Sequence, residues 1–153
     1  MGPSALPGAG SGRHDVNVEV DRNGLEILDR SECLRLLSGS FVGRVAVTVG
    51  GLPAILPVNY LVDGGRILIR TGEGTKLDLA TREAVIAFEV DHVEPFSHSG
   101  WSVCVTGVAK EILDPGELHR VDTLPLPHWT PNGISHVLAV SLDLVSGRRL
   151  PRP

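Results

Sequence analysis

The chain has 153 residues, 42% of them hydrophobic and 21% charged, which suits one domain with a single core. A formal net charge of −4, with no basic stripe beyond Arg148 and Arg149, argues against a nucleic-acid partner. No apolar run approaches the roughly eighteen residues that span a bilayer and nothing near Met1 resembles a secretory core, so the expectation is a cytoplasmic protein with no membrane partner.

Residues 1–20, rich in Gly, Pro, Ser and Ala at their start, read as a disordered tail ahead of a domain over 21–153. Ser31 as N-cap, Glu32 in the first turn, apolar Cys33, Leu34 and Leu37, and Gly39 as a stop predict a short amphipathic helix. Arg44 to Val49, the Gly50-Gly51 turn and Pro53 to Val62 predict a hairpin. Proline removes a ladder donor, so its second strand should be irregular around Pro57. Asp63-Gly64-Gly65 turns the chain into a third strand, Ile67 to Thr71, and a second helix is expected from Lys76 to Arg82. Ala84 to Asp91 is a nearly all-apolar, hence central, fourth strand. His92 to Gly100 reads as a loop, and Trp101 to Ile112 as a long fifth strand with Gly107 at a bulge or corner. Asp114-Pro115 starts a third helix that runs to about Thr123. Ile134 to Leu144 is the sixth strand, and Ser146 to Leu150 closes the domain. The fold class is mainly β: six antiparallel strands with small helices at the margins, in a closed or nearly closed barrel, with a β-sandwich as rival. Cys33 and Cys104 form no framework and read as small buried hydrophobes, a single disulfide remaining open.

The most informative stretch is Ile69-Arg70-Thr71-Gly72-Glu73-Gly74-Thr75-Lys76-Leu77. A strand ending in Arg70 and Thr71 feeds a glycine-rich turn and a helix start capped by Thr75. Unpaired N–H groups and the positive end of a helix dipole attract an anion there, and Lys76 adds a full charge. This reads as a phosphate cradle; the same residues also fit a capped surface helix with Arg70 and Lys76 solvated. The third glycine of a dinucleotide motif and the Gly-Lys-Ser/Thr ending of a P-loop are both missing, which disfavours ATP and NAD(P) folds. The six histidines show no zinc spacing, so no metal is expected. Trp129, after a Leu-Pro-Leu-Pro segment, fits either packing under a loop or a cover for a cofactor edge from a second subunit. Ser102 has no base beside it, and no catalytic acid, base or nucleophile stands out.

Taken in order, Glu32-Cys33-Leu34, Gly43-Arg44-Val45-Ala46, Pro57-Val58-Asn59-Tyr60, Ile69-Arg70-Thr71 with Gly74-Thr75-Lys76-Leu77, Ala87-Phe88-Glu89-Val90-Asp91, Gly100-Trp101-Ser102-Val103 and Ser146-Gly147-Arg148-Arg149-Leu150 resemble the pyridoxamine 5′-phosphate oxidase-like superfamily. The closer resemblance is to its branch of nitroimidazole-resistance-type flavoproteins. The resemblance implies a six-stranded antiparallel split β-barrel of the FMN-binding type, with FMN at the interface of a homodimer. It implies that Pro57, Val58, Asn59 and Tyr60 line the isoalloxazine ring, largely through backbone atoms. Arg70 and Thr71 would run beside the ribityl chain and phosphate, Thr75 and Lys76 would hold the phosphate, and Trp101 and Ser102 would lie close to the ring. The implied activity is a flavin-dependent oxidoreductase acting on a small molecule, with NAD(P)H as hydride source. Alternatives are an F420-dependent reductase and a non-catalytic flavin- or haem-binding protein, with His92 or His98 as haem ligand. The second basic set that grips a pyridoxamine substrate's phosphate is missing, so pyridoxamine phosphate oxidation is not expected.

Overall fold

The computed structural model describes residues 18–75, 77, 83–127 and 135–150. In chain order the elements are β1 (Glu26–Leu28), α1 (Arg30–Ser38), β2 (Val42–Val49), β3 (Leu52–Asp63), β4 (Arg66–Gly72), β5 (Val85–Glu94), β6 (Ser99–Glu111), α2 (Pro115–Asp122), β7 (Ser135–Ser141) and β8 (Leu144–Leu150). Glycine pairs at 50–51 and 64–65, all with positive φ, make the two-residue turns between β2 and β3 and between β3 and β4, where such φ values match the twist of the flanking strands. Every pairing among these strands is antiparallel, and the order runs β1-β8-β6-β5-β2-β3-β4-β7 with β6 also paired to β7. That last pairing closes β6-β5-β2-β3-β4-β7 into a ring, the six-stranded barrel that the sequence implies. β8 and β1 extend the sheet beyond it.

Alternation fills the barrel: Val45, Tyr60, Ile67, Ile69, Phe88, Val103, Val105 and Leu138 are buried, while their neighbours along β2 and β5 face out. Outside the β4–β7 wall a second cluster forms, in which α2 and the segment after it bring Val121 and Leu126 onto Leu68, Ile112 and Val137. β6 changes partner from β8 to β7 around Gly107, where the Ser141 carbonyl lies so close that a Cβ would sit 1.8 Å from its oxygen. The corner expected at Gly107 is where the barrel wall divides.

Several local expectations are corrected. Asp29, not Ser31, caps α1, its carboxylate accepting from the Glu32 N–H at 2.8 Å and from the Ser31 hydroxyl at 2.8 Å. The stretch His92 to Gly100 is not a loop: β5 and β6 pair out to Glu94↔Ser99, leaving only residues 95–98 as the turn. Residues 146–150 belong to a full strand, β8. Cys33 is buried under α1, but Cys104 is exposed on the outer sheet face, and both are free. Glu19 and Val20, assigned to the tail, run beside β1: Val20 bridges Glu26, and the Ile27 N–H donates to the Glu19 carbonyl at 2.8 Å. The helix expected over residues 76–82, Leu77 excepted, lies outside the described residues, as do Trp129 and the tail up to residue 17. No helix among the described residues is long and apolar enough to cross a membrane.

Candidate functional site

The site begins with a fork between two strands. β3 pairs with β2 from Leu52 to Asn59, but with β4 only from Tyr60 to Asp63. Parity explains the opening. The Tyr60 N–H donates to the Phe41 carbonyl, on the β2 side, at 3.0 Å. By alternation, the nitrogens of residues 53, 55, 57 and 59 face away from β2. Two of the four are prolines with nothing to donate, which interrupts a ladder to β4 along this stretch. Pro57 therefore keeps its place in a continuous β2–β3 register, and the irregularity expected there takes the form of a missing partner on the other side.

A cavity of about 670 Å³ occupies the fork, lined on one side by Leu56, Pro57, Val58 and Asn59 and on the other by Arg70, Thr71, Gly72 and Thr75, with Val42 and Leu77 at its margins. Its size falls in the usual range for a small-molecule or cofactor site. The alternation that turns the Pro57 nitrogen outward gives the Asn59 backbone N–H to the fork. The turn after β4 is tight: Thr75 N–H donates to the Gly72 carbonyl at 3.3 Å and the Thr71 and Thr75 hydroxyl oxygens are 2.7 Å apart. Gly74 completes it at φ +70°, a conformation that side-chain-bearing residues avoid; Gly72 needs no such φ.

Among the described residues lining this cavity, Arg70 carries the charge. Its side chain is only 7% exposed and one terminal nitrogen reaches the Asp122 carboxylate at 2.8 Å, yet its Nε is buried with no hydrogen-bond partner. A buried donor left unpaired costs free energy. Arg70, Thr71 and Thr75 thus share one wall of the cavity, facing Pro57, Val58 and Asn59. Lys76, next along the chain, lies outside the described residues.

Three expected residues are not at this cavity within one chain. The Tyr60 side chain turns into the core, edge-on to Phe88 at 4.8 Å, with its hydroxyl donating to the Leu37 carbonyl; burial pushes the phenol up to about 12. Trp101 and Ser102 sit on β6, separated from β3 by β5 and β2. Trp101 lies by His92 in a second cleft of about 720 Å³, beside Arg149. That cleft is larger, but Arg149 is already paired with Glu26 and Glu32. Ser102 lines a small recess with Asp91 and Arg148. His92 and His98 do not approach the fork cavity, and His136 is held by Glu111 through Nδ1. Among the described residues no cluster of three or more His, Cys, Asp or Glu could hold a metal. Sequence reasoning missed Asp122, whose contact with Arg70 spans 52 positions and leaves no local signal.

The sequence model of a family described as pyridoxamine 5′-phosphate oxidase matches residues 29–149. An uncharacterized protein of Mycobacterium tuberculosis, Rv0080, is 41% identical over 128 residues, 80% of this chain and 84% of that one. Among solved structures, the FAD binding protein of Mycobacterium smegmatis is 34% identical with a TM-score of 0.70, over 83% of this chain and 98% of that one. A candidate 5-nitroimidazole antibiotic resistance protein of Bacteroides thetaiotaomicron has the same fold, with a TM-score of 0.67 at 15% identity over 82% of this chain and 87% of that one.

Proposed function

The chain belongs to the pyridoxamine 5′-phosphate oxidase family, and from that premise we propose that the fork cavity binds a flavin nucleotide, FMN first among those to test, in an oxidoreductase acting on a small organic molecule. The observation that carries this reading is the cavity wall shared by Arg70, whose charged side chain is only 7% exposed, and the Thr71–Thr75 turn. A phosphate oxygen would meet the guanidinium charge there, and a hydrogen bond to an ionised group is among the stronger ones. The FAD binding by the Mycobacterium smegmatis relative supports a flavin in particular.

Arg70, Thr71 and Thr75 would hold the phosphate. Pro57, Val58 and Asn59 would face the ring, with the Asn59 N–H free to meet a ring acceptor. Val42, Leu56 and Leu77 add apolar surface to the lining. No Asp, Glu or His is among the described residues lining it. That suits a site whose bound flavin supplies the hydride and electron chemistry, the protein having only to bind, orient and tune it.

FMN addition should give perturbed flavin bands in the visible spectrum with quenched fluorescence. Arg70→Ala should lower FMN affinity by about 1.5–3 kcal/mol, roughly ten- to more than a hundredfold, while riboflavin, which has no phosphate, binds almost unchanged. An unchanged FMN-to-riboflavin affinity ratio overturns the cradle. Competitive titration of FMN against FAD, deazaflavin F420 and haem identifies the native ligand. Turnover of quinones, nitro compounds or aldehydes with NAD(P)H or reduced F420 distinguishes an enzyme from a binding protein.

A further inference from the structure

We infer that Asp122 is a positioning residue that aims the Arg70 guanidinium at the cradle, an inference that rests on the phosphate reading above. Asp122 is the last residue of α2, where the negative end of the helix dipole disfavours a carboxylate; Arg120 in the same turn has the sign expected there. A residue that contradicts its local setting points to a demand made from elsewhere in the fold. Here the demand comes from Arg70, on the strand beneath.

The exposures on the two sides are unequal. The Asp122 side chain is 58% exposed and stays hydrated, whereas Arg70 is buried. A pair with one hydrated partner adds little to stability. It does hold a buried fork in one orientation, and because guanidinium is planar, fixing one terminal nitrogen on Asp122 also fixes the direction of the other. The support is itself anchored. Val121 is fully buried, Glu117 is paired with Arg66, and Arg120 is paired with Asp63 at 2.7 Å, so the helix that carries Asp122 is tied to the end of the β3–β4 hairpin.

The test compares FMN and riboflavin affinities in wild type, Asp122→Ala, Asp122→Asn and Arg70→Ala. Expected is a fall of about tenfold in the FMN-to-riboflavin ratio for Asp122→Ala, the loss when one charge-assisted hydrogen bond is no longer aimed. Asp122→Asn can still accept from the guanidinium and should restore most of the ratio. A ratio that is unchanged or raised in Asp122→Ala overturns the inference, a rise meaning that Asp122 competes with the ligand for Arg70. Equal losses in the Ala and Asn variants also overturn it, since charge alone would then be the cause. If Arg70→Ala lowers the ratio while Asp122→Ala does not, the cradle stands and only the positioning role falls. If Arg70→Ala itself leaves the ratio unchanged, the cradle fails first.

Discussion

Asn59 and Tyr60 are neighbours in β3 with opposite duties. Asn59 lines the fork, while Tyr60 is 1% exposed in the barrel core, where its hydroxyl serves the Leu37 carbonyl in the last turn of α1. Tyr60→Phe removes that donor and leaves a buried carbonyl short of a partner, so stability should fall by about 1 kcal/mol. The Phe88 edge contact survives the change, and the Asn59 side of the strand is untouched. FMN affinity should therefore stay at the wild-type value, and a denaturant titration beside an FMN titration checks both halves. A loss of FMN affinity without a loss of stability would place the Tyr60 hydroxyl at the ligand instead.

At the scale of elements, α1 is fastened across the barrel end by charge. Glu32 accepts from Arg35 on its own helix and from Arg149 on β8, and Arg149 also reaches Glu26 on β1 at 3.3 Å. The Arg35 hydrogen bonds and then the Arg149 one hold the Glu32 carboxyl down at about 2, against an ordinary 4.5. A carboxylate with a lowered folded-state pKa stabilises the fold fully above its unfolded value, and that contribution is lost as pH falls through the folded value. Acid unfolding should accordingly steepen between pH 4.5 and about 2. Glu32→Gln should flatten the stability curve in that window and lower the plateau above it. Chemical denaturation across that range reads the effect directly; a Gln variant with the wild-type slope would mean the α1–β8 clasp carries no pH-dependent stability.

At the scale of the molecule, the outer sheet face presents a cross-strand row, Ile55↔Ala46↔Ala87↔Thr106↔Leu144, in which Ile55 and Leu144 are each 69% exposed. The adjacent row carries Arg44, already paired with Glu89 and Asp91. A flat apolar strip whose nearby charge is neutralised within the chain can meet a second copy of itself without repulsion, and two-fold pairing of one patch is the commonest closed assembly. The same assembly would supply, from a second chain, the Trp101 and Ser102 that lie away from the fork in a single one. Sedimentation should give twice the 16.3 kDa of the chain, and Ala87→Arg should yield a folded monomer. A wild-type monomer that binds FMN as tightly would sink the homodimer.

Local chemistry alone determined much of this protein. Strand alternation, the glycine-pair turns, the Asp114-Pro115 helix start, and the order Arg70, Thr71, Gly74, Thr75 all act within a few residues, so β2 to β7, α2 and the Arg70–Thr75 turn were legible before folding was considered. Asp29 was misread because Ser31 offers the same capping chemistry two positions later, and only the hydrogen bonds distinguish them. β1, three residues long, and the arginine-rich β8 have little strand character of their own. They become strands because Cys33 and Leu28 pack on Gly147, where a Cβ would meet the Cys33 sulfur at 2.6 Å, and because Arg148 and Arg149 find Asp21, Glu26 and Glu32. The tertiary structure likewise decided that two strands separate Trp101 from β3, that Pro57 opens a fork rather than a bulge, and that Asp122 reaches Arg70. Each of these depends on strand order or on pairs far apart in sequence, and such contacts exist only once the ring closes.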